Sequence, residues 1–170
     1  SLDLSSLNFG PADVKFLATL FTSFTLFIPA LSEVNLSVNP ITGAEPITEY
    51  NFDKQQDERV GWKNCDADLS GWSSFCKALC ASKIQKLKFV DIGMGPLGLT
   101  TLAKFTPDMP AISEVNLSKN KCFNAESVKV LADVIPGSKL KTLVIGKDCS
   151  VPVVASDVTA LDCSNQDFGP

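Results

Sequence analysis

The 170 residues are 45% apolar and 20% charged, enough to close a core of their own and most naturally one domain. A net charge of -4 with a single arginine, Arg59, leaves no cationic cluster for phosphates and argues against nucleic acid as a partner. Without histidine there is no Ser-His or Cys-His pair and no imidazole metal ligand, so histidine-dependent nucleophilic catalysis and histidine-ligated metal sites are excluded.

Taken in order, the chain opens on Leu2, Leu4, Leu7 and Phe9, whose alternation predicts a short strand and a turn. Val14, Leu17, Ala18 and Phe21 then form an apolar stripe at helical spacing. Residues 16–32 carry no charge, but hydroxyl side chains and Pro29 interrupt them. They fall short of the roughly 20 predominantly apolar residues of a spanning helix. The expectation is a helix whose extension, Phe21, Phe24 and Phe27, covers a neighbouring unit, with no membrane as partner. Leu31, Val34, Leu36, Asn39 and Ile41 make the next strand and turn, and residues 69–81 the next helix. Ile84, Leu87, Phe89, Ile92 and Met94 repeat the strand, and Leu99, Leu102 and Ala103 the helix. Ile112, Val115, Leu117, Asn120 and Cys122 precede a helix through Val128, Leu131, Ala132 and Ile135. Leu140, Leu143, Ile145 and Asp148 follow, and then Val158, Leu161, Cys163, Gln166 and Phe168.

These six segments follow the spacing L-x-x-L-x-L-x-x-N-x-L, the first having lost its start and the last clipped, and the third, fourth and fifth recur every 28 residues. Segments ending in Gly-Pro alternate with segments reading S-E-V-N-L-S. The pattern resembles the ribonuclease-inhibitor-like class of leucine-rich repeat proteins, over essentially the whole chain outside residues 44–68. The resemblance implies an α/β leucine-rich repeat solenoid (horseshoe), with parallel strands on the concave face and helices on the convex one. An ordinary doubly wound α/β domain alternates in the same way, but does not require segments this alike. Solenoids need polar caps and neither end has one, so the expectation is a fragment of a longer array. Self-association through the uncapped ends is the other solution.

Residues 44–68 interrupt the period. They hold seven carboxylates (Glu45, Glu49, Asp53, Asp57, Glu58, Asp66, Asp68) against Lys54, Arg59 and Lys63, so this insertion carries the entire net charge of -4. It also holds Tyr50, Phe52 and Trp62, read either as exposed interface anchors or as the packed aromatics of a hairpin. Within it begins Asp66-Ala67-Asp68-Leu69-Ser70-Gly71, the opening of a calcium-binding loop. Lys77 stands where the closing glutamate belongs, and helix capping by Asp68 or Ser70 is the simpler account.

The six cysteines read as reduced core thiols of a cytoplasmic protein, with a disulfide from Cys65 or Cys149 as the alternative. No secretory leader is read, and the sequons at Asn35 and Asn116 fall inside the strand pattern. The function expected is a protein-interaction module, neither an enzyme nor a cofactor or metal binder. Its partner-binding residues would be Glu33, Asn35, Lys86, Lys88, Glu114 and Asn116 on the strands, with Tyr50 and Trp62 in the insertion. The alternatives are a scaffold segment of a larger solenoid, with weak calcium binding at residues 66–71, and a hydrolase working with carboxylates alone.

Overall fold

The computed structural model describes residues 1–23, 31–145 and 150–152. The expected cover from Phe24 and Phe27, and the segment through Val158, Leu161, Cys163, Gln166 and Phe168, lie outside these residues, as do Asp148 and Cys149. The elements in chain order are β1 (Leu2–Asp3), α1 (Pro11–Ser23), β2 (Glu33–Asn35), β3 (Glu45–Asn51), β4 (Gln56–Lys63) and α2 (Ser70–Leu79). They continue with β5 (Lys86–Lys88), α3 (Pro96–Phe105), β6 (Glu114–Asn116), α4 (Ala125–Val134), β7 (Thr142–Val144) and β8 (Ser150–Pro152).

One sheet runs in the order β1-β2-β5-β6-β7-β8, and β3 pairs with β4 in a sheet of their own. The first five strands of the main sheet are parallel and in register, so that Val34, Leu87, Val115 and Leu143 stand opposite one another. Strand alternation sends these four into the core, where all are buried, and leaves their neighbours on the opposite face. The helices pack in sequence, α1 on α2, α2 on α3 and α3 on α4. Their apolar stripes, Val14, Leu17, Ala18 and Phe21 among them, meet Trp72, Phe75 and Phe89 at the centre of the core. Gly71 sets the approach of α2 to α1, because a Cβ there would run into the Pro11 carbonyl.

Local chemistry explains where the elements start. Pro11 and Pro96 open α1 and α3, where a missing amide proton costs nothing because the first helical amides have no partner inside the helix. Asn124 and Ser127 form a capping box on α4. After β1, β2, β5 and β6 the chain turns through left-handed backbone at Ser6, Val38, Asp91 and Lys119. Two asparagines hold these turns together. Buried Asn39 accepts from the amides of Leu7 and Phe9 and donates to the carbonyls of Leu4 and Leu36. Asn120 does the same for Ile92, Met94, Phe89 and Leu117. Such residues are tolerated in a core because every polar atom finds a partner.

The expected leucine-rich repeat solenoid is corrected here: the protein is a compact mixed α/β domain. β8 runs antiparallel to β7, against a horseshoe of uniformly parallel strands. Residues 45–63 build an independent antiparallel ribbon that no repeat unit contains. The spacing that suggested a repeat fixes only a strand, a turn and an asparagine's bonds, and says nothing about how successive units are joined. The expectation of a leucine-rich repeat solenoid of the ribonuclease-inhibitor-like kind falls with the horseshoe.

Candidate interaction surface

Two surfaces bring the expected binding residues together. The first is the sheet face turned away from the core. Glu33, Lys86, Glu114 and Thr142 form one row across it, and Asn35, Lys88, Asn116 and Val144 the next. The charges on this face neutralise one another. Lys88 reaches diagonally to Glu33 at 2.6 Å, and Lys86 pairs directly with Glu114 at 2.8 Å. The Lys88 ammonium holds the Glu33 carboxyl below its ordinary value, and Glu114 raises Lys86 above its own. Asn35 donates to Asp3 at 3.0 Å and accepts from the Ser37 amide, and Asn116 accepts from the Ser118 amide. A charged partner would have to compete with these bonds.

The second surface is the ribbon of β3 and β4, which the sequence admits as one of two readings and the structure shows as a hairpin. Its pairing slips between Ile47 and Thr48, so that Val60 is passed over and stands exposed. Pro46 and Trp62, Thr48 and Arg59, and Tyr50 and Asp57 are opposed pairs on one side. The base of this side is fastened to the body. Arg59 grips Asp91 with both guanidinium nitrogens, at 3.0 and 2.6 Å, and the Trp62 indole donates to the same carboxylate at 2.9 Å. The guanidinium also lies 4.2 Å from the centre of the Trp62 ring. Burial raises the Asp91 carboxyl, but the Arg59 and Trp62 donors outweigh it and hold the group below its ordinary value. Gly93, in left-handed backbone, leaves room beneath, since a Cβ there would press on Ala44 and the Trp62 ring. Trp62 is thus an anchor of the hairpin.

The other end of the ribbon points into solvent. Tyr50 and Phe52 meet edge to face at 5.1 Å, and they are 52% and 84% exposed. Sequence reasoning noted Phe52 beside its neighbours without choosing it. Glu49, opposite Glu58, Asp57, opposite Tyr50, and Asp53 in the turn belong to this end and have no ion-pair partner among the described residues, whereas Glu45 binds Lys63 and Glu58 binds Lys54.

The loop that opens like a calcium site holds the hairpin's far strand to the body. Asp66 accepts from the amides of Gly95 and Gly98, both at 2.9 Å, and so caps α3 from a distant part of the chain. Asp68 accepts from the Ser70 amide at the entrance to α2, but the N-cap position is Leu69, not Asp68 or Ser70 as expected, and that position has no side-chain cap. Among the described residues no group of three acidic or cysteine side chains could hold a metal ion.

Cysteine chemistry departs from expectation. Cys65, at the foot of β4, is disulfide-bonded to Cys122 in the turn after β6, so these two are not reduced core thiols. Cys76 and Cys80 remain free. Burial pushes the Cys76 thiol well above its ordinary value and raises Cys80 as well, which suits packing rather than nucleophilic chemistry.

No protein-family model matches the sequence, and no curated protein matches it either. Among solved structures the chain is similar to actin-binding site 2 of leiomodin-1, with a TM-score of 0.51 and 11% identity. The match covers 79% of this chain and 65% of that one. At this identity the likeness concerns the fold, which it places with that actin-binding fragment. No helix among the described residues is long and apolar enough to cross a membrane.

Proposed function

We propose that this protein is a protein-binding module that works through a preformed surface and carries out no chemistry of its own. The observation that carries the reading is the aromatic pair Tyr50 and Phe52, held together at 5.1 Å at the outer end of a fastened hairpin. Single exposed apolar residues are ordinary, but an edge-to-face pair on a fastened ribbon is the kind of anchor that a partner covers. The open sheet face offers a second contact, of mixed sign, suited to fixing register more than to adding affinity. The partner is a protein, and actin is the first candidate to try because the structural neighbour is an actin-binding fragment. The Cys65–Cys122 bond favours an oxidising compartment over the cytoplasm expected from the sequence.

The test is capture from lysate of the source organism, with a parallel arm using purified actin. The native chain is compared with one carrying Lys86→Gln and Lys88→Gln and one with residues 49–53 replaced by glycine and serine. A protein held by the native chain and lost by either variant supports the reading. Recovery of nothing, or only of further copies of this chain, would overturn it.

A further inference from the structure

Resting on that reading, we infer that the outer end of the β3–β4 hairpin is the docking site and that its occupant is a cationic protein segment carrying an apolar side chain. The argument is one of charge left over. On the sheet face each charged residue chosen from the sequence already has an opposite partner: Glu33 with Lys88 and Lys86 with Glu114. At the foot of the hairpin Arg59 is committed to Asp91, Lys63 to Glu45, and the Asp66 carboxylate to the amides of Gly95 and Gly98. Compensation stops at the outer end. Lys54 answers Glu58, and Glu49, Asp53 and Asp57 form no ion pair among the described residues. Three carboxylates of the insertion, Glu49, Asp53 and Asp57, thus stand unpaired at the end of the ribbon that carries Tyr50 and Phe52.

The ribbon is shaped to keep this arrangement. Glu49 and Glu58 stand directly opposite each other, a pairing that repels, yet Glu58 is drawn toward Lys54 at 2.6 Å and Asn51 at 2.8 Å. Glu49 is left facing outward. The Asn51 side chain also accepts from the amides of Asp53 and Lys54, which fixes the turn that presents Phe52. An exposed aromatic pair at a ribbon end that also carries three unpaired carboxylates offers an apolar anchor and a field that disfavours acidic partners, so a lysine- or arginine-bearing segment with a large apolar residue complements it on both counts.

The experiment titrates the intact, oxidised chain into three short fluorescent peptides and reads anisotropy. One peptide alternates lysine with leucine, one alternates lysine with serine, and one alternates glutamate with leucine. The lysine-leucine peptide is expected to bind best. Phe52→Ser combined with Tyr50→Ser should weaken it by about tenfold or more, as loss of an interface anchor does. Glu49→Gln, Asp53→Asn and Asp57→Asn together should remove most of its salt dependence between about 0.05 and 0.3 M. Lys129→Gln, on the exposed side of α4 and away from both surfaces, should leave it unchanged, and circular dichroism shows that every variant is folded. Equal binding of the lysine-serine peptide, or binding indifferent to the hairpin substitutions, would overturn the inference. In that event a partner captured through the sheet face would still leave the protein-binding reading standing.

Discussion

Asp66 shows how one side chain can decide between two chemistries. In sequence it opens a run of alternating oxygens that fits a metal loop, but its two carboxylate oxygens end on the amides of Gly95 and Gly98 at the start of α3. The first amides of a helix have no partner within it, so a carboxylate there satisfies two donors at once and meets the positive end of the helix dipole. Asp66→Asn tests this without disturbing the left-handed backbone at that position, which asparagine also tolerates. The amide group can accept from one of the two donors but turns its own hydrogens toward the other. Urea unfolding should show a loss of about 1–2 kcal/mol, the range of a lost helix cap. Millimolar calcium should leave the midpoint of the native chain where it is, and a calcium-dependent rise would restore the metal-loop reading.

At the scale of elements, the hairpin depends on a contact that no periodicity announces. Asp91 lies in the turn after β5, 32 positions from Arg59, and its position matches those of Ser6, Val38 and Lys119 in the other turns. Nothing in its immediate neighbours marks it as the anchor of a ribbon. Asp91→Asn retains the turn and removes the charge, and should cost about 1.5–3 kcal/mol, the range for hydrogen bonds to a charged group. Both partners are mostly buried, with side-chain exposures of 23% for Arg59 and 24% for Asp91, so solvent screens the contact little. The pH dependence has a definite sign. Because the folded carboxyl is held below its ordinary value of 3.8, the stabilisation is complete above about that pH and disappears as pH falls through the lower folded value. The gap in unfolding free energy between native chain and variant should therefore be flat from neutral pH to about 5 and close below 3.8. A gap that persists unchanged in acid would mean the loss came from packing.

The same contrast marks how far the sequence could be read. Strands and helices were legible because Val34, Leu87, Val115 and Leu143, or Val14, Leu17, Ala18 and Phe21, repeat at the period of the element that buries them. The hairpin was legible as one of two options from its aromatics and its turn. Asp66 on α3 and Asp91 on Arg59 were not, since each joins segments about 30 positions apart through single side chains. The mutual pairing of Glu33 with Lys88 and Lys86 with Glu114 was hidden for a related reason. Alternating charge along strands looks the same whether it awaits a partner or is satisfied by the neighbouring strand, and only the register of β2, β5 and β6 separates the two.

For the whole molecule, the insertion is joined to the body through the Asp91 clamp, the Asp66 cap on α3 and the Cys65–Cys122 bond. The bond is the one that can be switched by the surroundings. It ties the foot of β4 to the turn beyond β6 across a sequence separation of 57, with α2, β5, α3 and β6 in the closed loop. Closing so long a loop removes conformations from the unfolded chain, and on the chain-entropy account such bonds contribute about 2–4 kcal/mol. Cys65→Ser with Cys122→Ser should lower the unfolding free energy of the oxidised protein by that amount, and a reductant should lower the native chain to the level of the double variant without affecting the variant itself. Because the ribbon is also held by Arg59 and Trp62, its exposed pair Tyr50 and Phe52 should keep their place at the outer end after reduction. Peptide mapping under non-reducing conditions checks the premise directly. Recovery of Cys65 and Cys122 in one cross-linked fragment supports it, and alkylation of both in the absence of reductant would show that the hairpin is held by side-chain hydrogen bonds alone.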